Sequence, residues 1–157
     1  VLSLLPKLIE RTGTGLINQG AITSIYTVLA DGDDVTSDPI VDTARAILDG
    51  HIVLERSLAQ QGLYPAIDVS KSISRLMNSL VDKQQLKISK RLRMLISKYF
   101  ENRDLFLMGG YVAGQDKELD AAIRGWPLIE RFLMQDPDEA VSYRDSVHHL
   151  NDLMANL

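Results

Sequence analysis

The fold of this chain is decided by the stretch Gly62-Leu63-Tyr64-Pro65-Ala66-Ile67-Asp68-Val69-Ser70-Lys71-Ser72-Ile73-Ser74-Arg75. The Tyr64–Pro65 pair predicts a turn, because proline restricts its own backbone and that of the residue before it. The residues after the turn predict a short extended run that leads to Arg75. From the residues alone, Arg75 is either a solvated or salt-bridged arginine or a functional one. Tyr64 is either a half-buried aromatic or one that faces a ligand.

The segment before this stretch begins with a predicted helix, a loop and a strand. Residues 1–11 carry apolar side chains at helical spacing, which predicts the end of an amphipathic helix. Residues 12–20 contain three glycines and predict a loop. Residues 21–29 are rich in β-branched side chains and predict a largely buried strand.

A second helix and strand follow an acidic turn. Asp38 is predicted to cap a helix that has Pro39 at its first position, where a missing N–H costs nothing, and Gly50 is expected to end it. Residues 51–54 predict a second strand and residues 55–61 another helix, stopped by a glycine. The alternation of strands and helices predicts an α/β layered domain with a parallel sheet. The apolar stripe expected on the helix after Asp38 is Ile40, Ala44, Ile47 and Leu48.

The second half of the chain predicts a bundle of helices. A helical period runs from residue 84 to 108, and a glycine-marked turn follows at 109–114. Asp116 is predicted to cap a helix that ends near Gly125, and Pro127 to open a further helix through residue 134. The break at residues 136–138 precedes a last helix striped by Tyr143, Val147, Leu150 and Met154.

Composition restricts the function classes. The chain has 157 residues, of which 45% are hydrophobic and 24% charged, the profile of a soluble globular protein. It contains no cysteine, which excludes disulfides and zinc–thiolate sites and fits a reducing cytoplasm. The net charge of −4 argues against broad nucleic-acid binding, which requires a basic surface.

The sequence predicts neither a metal site nor a complete catalytic apparatus. His148 and His149 are adjacent, so on a helix their side chains point about 100° apart and do not chelate one metal. The glycines at 109–114 have the spacing of a phosphate-binding loop, but Gln115 and Asp116 stand where that motif requires lysine and serine or threonine. The chain starts without methionine inside an apolar pattern, so we expect a fragment of a longer protein.

The deciding stretch resembles the Tyr-Pro-Ala-(Ile/Val)-Asp…Ser-x-Ser-Arg signature of hexameric ATPases related to the α and β subunits of F-type ATP synthases. Four further segments resemble the same family, and they are Gly20-Ala21-Ile22-Thr23-Ser24, the acidic turn 33–40, Leu48-Asp49-Gly50-His51-Ile52-Val53-Leu54, and Gly109-Gly110-Tyr111 with Gly114 and Asp116. The last two of these segments resemble the branch of the family that drives protein export through flagellar and type III secretion apparatus. The similarity covers nearly the whole chain in consistent order.

The resemblance implies a two-part architecture. Residues 1–80 are expected to be the C-terminal part of a RecA-like parallel-sheet nucleotide-binding domain, and residues 81–157 a helical C-terminal domain. The cofactors implied are ATP and Mg²⁺. The phosphate-binding loop and the magnesium ligands are expected upstream of residue 1, so the fragment by itself is expected to show no ATPase activity.

The resemblance also implies roles for individual residues. Arg75 matches the arginine finger that reaches the γ-phosphate held by the neighbouring subunit, and a planar, permanently charged guanidinium suits that task. Tyr64, with Pro65 beside it, matches the aromatic that packs on adenine. One departure is that residues 134–138, after Arg-Phe-Leu, carry no second aromatic, which predicts a looser adenine pocket.

Two turns match surfaces that meet partners. Asp33, Asp34, Thr36 and Asp38 match the loop that faces a central stalk through the pore of the ring. The alternative for this acidic turn is a solvated helix cap. The turn at 109–116 occupies the place of the acidic lever tip of ATP synthases but is far less acidic, so its partner surface is expected to differ.

The implied assembly is a homo-hexamer in the cytoplasm, peripheral to the inner face of the membrane and its export gate. Its expected partners are a central stalk protein, a regulatory subunit and export chaperone–cargo complexes. Flagellar export is preferred over virulence export because of the Gly-Gly-Tyr turn and the C-terminal helices. The alternatives are a rotary ATP synthase subunit and a non-catalytic interaction module.

Overall fold

The computed structural model describes residues 4–29 and 38–157. Contacts within the chain separate two units, Val1–His51 and Ile52–Leu157. The helices and strands in chain order are α1 Leu5–Ile9, β1 Gly13–Thr14, β2 Ala21–Ile22, α2 Pro39–Ile47, β3 Gly50–Leu54, α3 Arg56–Gln60, β4 Ile67–Ser74, α4 Met77–Leu80, α5 Lys83–Leu107, α6 Lys117–Leu133 and α7 Tyr143–Ala155.

The first unit contains α1, a small hairpin and α2. The strands β1 and β2 pair antiparallel, with Gly13 opposite Ile22 and Thr14 opposite Ala21. The predicted loop 12–20 therefore contains one strand of a pair. Glycine suits the start of β1 because Gly13 has a φ of +116°, which other residues rarely adopt.

The predicted buried strand over residues 21–29 is wrong in its length and in its burial. Only Ala21–Ile22 is a strand, and the apolar side chains beyond it lie in solvent, with Ile25 93% and Leu29 95% exposed. A strand requires a neighbour that takes up its N–H and C=O groups. Within the described residues, β2 pairs with the two-residue strand β1. β-branched composition predicts an extended backbone but not the presence of that neighbour.

The start of α2 confirms the predicted cap, whereas its buried face differs from the prediction. The Asp38 carboxylate accepts hydrogen bonds from the backbone N–H of Ile40 at 2.7 Å and of Val41 at 3.4 Å. The buried residues are Val41 and Ala44, and Ile40 and Ile47 of the expected stripe are exposed. A shift from Ile40 to Val41 turns the buried face by about 100°. Gly50 does not end this helix, because the helix stops at Ile47 and Gly50 begins β3.

The sheet formed by β3 and β4 belongs to the second unit except for the first two residues of β3. The strand predicted at 51–54 is confirmed as β3, and the helix predicted at 55–61 is confirmed as α3. The predicted stop at Gly62 is confirmed by its φ of +80°, which a β-carbon would strain. The turn at Tyr64–Pro65 then leads into β4.

The helices α5, α6 and α7 pack together and confirm the predicted bundle. Asp82 caps α5 by accepting from the Gln85 N–H at 2.7 Å. Asp116 caps α6, as predicted, by accepting from Glu118 and Leu119. Of the stripe predicted on α7, Leu150 and Met154 are buried as expected, whereas Tyr143 is 69% exposed. The core contains Leu63, Leu92, Leu95, Ile96, Ala122, Trp126, Ile129, Leu150, Leu153 and Met154.

The predicted helix break between Gly125 and Pro127 is wrong, because α6 is continuous from Lys117 to Leu133. Proline inside a helix removes one backbone hydrogen bond, at a typical cost of about 3 kcal/mol. Burial on both sides of Pro127 opposes that cost, since Trp126 and Ile129 both belong to the core. Gly125 serves packing rather than termination, because a β-carbon there would lie 2.5 Å from the Leu157 Cδ2 atom.

The fold class agrees with the sequence prediction of an α/β part followed by a helical part. The division at residue 80 stays a prediction. Among the helices of the described ranges, none combines the length and the apolar character that crossing a bilayer demands.

Candidate functional site

The strand β4 is held in place by its own side chains. The Asp68 carboxylate accepts from the backbone N–H of Ser70 at 2.9 Å and of Lys71 at 3.0 Å. The Ser72 hydroxyl donates to the Asp68 carbonyl at 2.6 Å and accepts from the Val53 N–H of β3 at 3.0 Å. These bonds explain two of the polar residues of the stretch, since the side chains of Asp68 and Ser72 bond the backbone of β3 and β4.

Arg75 lies directly after the last residue of β4. It is exposed, and it stands between the strand and the short helix α4. A guanidinium that acts on a ligand of another subunit must lie at the surface of its own subunit. The position of Arg75 meets that requirement.

Tyr64 lies at the opposite end of β4, in the turn that precedes the strand. Its side chain is 57% exposed, whereas the preceding Leu63 is buried in the core. The Tyr64 carbonyl accepts from the Gln135 N–H at 3.0 Å, and the Pro65 carbonyl accepts from the Ile67 N–H at 2.8 Å. The turn is therefore bonded to the segment after α6, and the tyrosine ring is available to a ligand.

Three of the four residues predicted to face a central stalk, Asp33, Asp34 and Thr36, lie outside the described residues. Asp38 is described, and its carboxylate caps α2. The helix-cap interpretation is therefore confirmed for Asp38, and its role toward a partner stays a prediction.

A cavity of about 340 Å³ lies beside β4 and was not predicted from the sequence. Its apolar wall includes Phe100 and Trp126. On its polar side, the Lys71 ammonium contacts Glu55 at 2.7 Å and Asp68 at 3.5 Å. The hydrogen bond from Lys71 lowers the pKa of the Glu55 carboxyl, and the same bond raises the pKa of Lys71. The residues that line the cavity are spread from residue 55 to residue 133, so no short sequence motif predicts the cavity.

The turn between α5 and α6 is held by hydrogen bonds and ends in apolar side chains. The Tyr111 hydroxyl donates to the Asp120 carboxylate at 2.9 Å, and that carboxylate accepts from the Gly114 N–H at 2.9 Å. Met108 and Val112 are exposed. This turn therefore presents exposed apolar side chains on a hydrogen-bonded backbone.

The base of the same turn contains an ion pair. The Lys98 ammonium lies 2.6 Å from the Asp116 carboxylate and 3.4 Å from that of Glu118. The hydrogen bond from Lys98 holds the pKa of the Asp116 carboxyl below its ordinary value of 3.8, and it raises the pKa of Lys98. A carboxyl with a lowered pKa stabilises the fold above its ordinary pKa, and this contribution is lost as the pH falls through the lowered value.

We therefore expect Asp116→Asn to lower the melting temperature at about pH 7. The difference in melting temperature between the variant and the unaltered protein should disappear below about pH 4. Asparagine still caps the helix, so the ion pair is the main loss. Thermal unfolding followed between about pH 2.5 and 7 tests this. Asp138→Asn, at an exposed turn position, is the control. A difference in melting temperature that stays constant over the whole pH range would contradict the stabilising role of the Lys98–Asp116 ion pair.

Two family descriptions match consecutive parts of the chain. The family described as ATP synthase alpha/beta family, nucleotide-binding domain, matches residues 1–74. The one described as T3SS EscN ATPase C-terminal domain matches residues 81–152. Together they follow the same order of an α/β part and a helical part that the structure shows.

Two curated relatives are similar over nearly the whole chain. The flagellum-specific ATP synthase of Pseudomonas aeruginosa is 48% identical over 155 residues, which are 99% of this chain and 34% of that protein. The flagellum-specific ATP synthase of Bacillus subtilis is 46% identical over 156 residues, 99% of this chain and 35% of that protein. The chain thus spans about a third of the length of the curated relatives it matches.

Solved structures agree with this similarity. The assembled ATPase EscN from the type III secretion system of enteropathogenic E. coli matches with a TM-score of 0.91 and 42% identity, over 98% of this chain and 36% of that one. EscN in complex with its central stalk EscO matches with a TM-score of 0.85 and 40% identity, over 97% of this chain and 35% of that one.

Proposed function

Because this chain belongs to the family of flagellar and type III secretion export ATPases, we propose that it is part of a subunit that hydrolyses ATP to drive protein export. The observation that carries this proposal is the match to EscN over 98% of the chain, in fold as well as in sequence. Flagellar export is the preferred use, since the curated relatives at 46–48% identity are flagellum-specific.

In this proposal, Arg75 acts across the boundary between subunits. The arginine is exposed at the end of β4, and its guanidinium would stabilise the charge that develops on the γ-phosphate held by the neighbour. Tyr64 lies at the other end of the same strand. This placement supports the proposal that Arg75 and Tyr64 contact two different nucleotides.

Tyr64 and Pro65 are proposed to pack against adenine. An exposed aromatic ring beside a proline offers a flat surface for a base, and such stacking is worth about 1–3 kcal/mol in nucleic-acid binders. The segment bonded to the Tyr64 carbonyl begins at Gln135 and brings no second aromatic to the turn. We therefore propose weak selectivity for the base.

We expect Tyr64→Ala, made in the complete subunit, to weaken ATP binding by about 5- to 150-fold, since it removes the stacking surface. Tyr64→Phe keeps the ring and should bind ATP nearly as well as the unaltered subunit. Equilibrium titration with a fluorescent ATP analogue measures both variants. Equal affinity of the alanine variant would contradict the adenine assignment. The unaltered subunit must hydrolyse ATP in the same preparation, and its inactivity would contradict the proposed function itself.

The implied cofactors are ATP and Mg²⁺. Tyr64 is suited to contact the base of one nucleotide, and Arg75 is suited to contact the phosphates of another. ATP supplies the phosphoryl group that is transferred to water. No group of three carboxylates, histidines or cysteines with metal-binding geometry occurs in residues 4–29 and 38–157. The magnesium ligands are proposed to lie in other parts of the subunit.

The proposed assembly is a homo-hexamer with nucleotide sites between neighbours. EscN has been solved as an assembled ATPase and with its central stalk EscO, which supports an oligomer and a stalk partner for this chain. The proposed stalk contacts are the loop with Asp33, Asp34, Thr36 and Asp38 and the turn at 109–116, where Val112 is exposed next to Met108. The further partners that we propose are a regulatory subunit and chaperone–cargo complexes, and the proposed location is the inner face of the membrane. We also propose that the two domains of this chain meet at residue 80.

A further inference from the structure

We propose that Arg93 is a positioning residue for Arg75: it holds the carbonyl of Ser72 and so fixes where β4 delivers the catalytic guanidinium. This inference rests on the proposed function, in which Arg75 acts on a neighbour's nucleotide. It adds a residue from the helical part of the chain to the ATPase reaction.

The contact joins helix α5 to strand β4. The Arg93 Nη1 atom donates to the Ser72 carbonyl at 3.0 Å, and both residues are half-buried. Ser72 lies in β4, three residues before Arg75. A hydrogen bond from a charged donor is stronger than one between neutral groups, and partial burial shields this one from water.

The Ser72 hydroxyl is already used within the sheet. It donates to the Asp68 carbonyl at 2.6 Å and accepts from the Val53 N–H at 3.0 Å. Its backbone carbonyl is the group that bonds α5, through Arg93. Ser72 is thus the residue at which both the neighbouring strand and the helix hold β4.

A second contact lies about one helical turn further along α5. The Ser97 hydroxyl donates to the Ser70 hydroxyl at 3.2 Å. Between these two polar contacts, Leu95 and Ile96 are buried in the core of the bundle. The backbone of α5 is therefore fixed by packing, so Arg93 projects from a rigid support rather than from a flexible loop.

Position matters for an arginine finger because its charge must meet the γ-phosphate oxygens in the transition state. A displacement of about 1 Å at a reacting group costs up to 10²-fold in rate. An interaction that is made in the transition state changes kcat rather than the binding of substrate. Loss of the Arg93 contact should therefore lower kcat and leave the KM for ATP nearly constant.

The test uses the complete, assembled subunit and steady-state ATP hydrolysis. Arg93→Ala is expected to lower kcat by about 10- to 100-fold with KM changed by less than about threefold. Arg93→Lys keeps a charged donor and should restore kcat to within about threefold of the unaltered value. Arg91→Ala removes an exposed arginine from the same helix and should leave both parameters unchanged. An alanine variant with normal kcat, or one that raises KM alone, would overturn the proposal.

A double variant separates positioning from general damage. If Arg93 acts through Arg75, Arg75→Ala combined with Arg93→Ala is no slower than Arg75→Ala alone. If the two substitutions instead lowered kcat independently, so that their fold losses multiplied, the inference would be overturned.

Should Arg93→Ala fail to assemble, Ser97→Ala weakens the same contact region and must still lower kcat at constant KM. The proposed function fails separately, when Arg75→Ala keeps full turnover. An Arg75 effect without any Arg93 or Ser97 effect rejects only the positioning role.

Discussion

Replacing Arg75 by alanine in the complete subunit is expected to lower ATP turnover by about 10³- to 10⁵-fold while ATP binding stays nearly intact. The guanidinium would contact the γ-phosphate of the neighbour's nucleotide, where negative charge develops as the bond to the leaving oxygen breaks. Its planar group donates two parallel hydrogen bonds, a geometry that no other side chain reproduces. The loss should therefore appear in kcat.

Turnover under saturating ATP and binding of a fluorescent ATP analogue, measured on the same preparation, check this expectation. Arg75→Lys keeps the charge without the planar fork and should be intermediate. Mixed hexamers test the action between subunits: an Arg75→Ala subunit and one with an inactivated phosphate-binding loop should restore activity together, because each supplies what the other lacks. Lost binding with unchanged residual turnover would show that Arg75 is structural.

Replacing Trp126 by alanine is expected to destabilise the helical bundle by about 3–5 kcal/mol. The indole is 8% exposed and stacks on Tyr99 with ring centroids 4.0 Å apart and planes 4° apart. The Phe100 ring meets it edge-on at 5.0 Å. Alanine would leave a cavity in a close-packed core and remove both aromatic contacts.

Urea unfolding followed by far-ultraviolet circular dichroism measures this loss, since the variant has no tryptophan to report by fluorescence. Trp126→Phe should recover part of the stability. Leu128→Ala, on the same helix but 47% exposed, should cost less than about 1 kcal/mol. If the two alanine variants were equally stable, the contacts of Trp126 with Tyr99 and Phe100 would not contribute to stability as expected.

Local rules were sufficient where the signal lies within a few neighbouring residues. The caps at Asp38 and Asp116 were predicted correctly because a short acidic side chain before a helix bonds that helix's own first N–H groups. The stop at Gly62 followed from its tolerance of positive φ. The long period of α5 was unambiguous because its apolar positions repeat over many turns.

Local rules were insufficient where packing decides. The stretch 21–29 has strand composition, yet its backbone lacks a partner beyond Ile22 within the described residues. Gly125 and Pro127 have the character of helix breakers, yet burial of Trp126 and Ile129 keeps α6 continuous. In both cases the outcome depends on surfaces that approach from elsewhere in the chain, which a local pattern does not contain.

The sequence by itself determined the order of elements, the helix caps, the family resemblance and, through it, the two candidate residues Tyr64 and Arg75. Tertiary structure alone decided that Arg93 bonds the Ser72 carbonyl, that Lys98 pairs with Asp116, and that a cavity lies beside β4. The physical reason is range. Caps and periodicity act over three to four residues of backbone, whereas the two bonded pairs join residues 21 and 18 positions apart, and only packing brings them together.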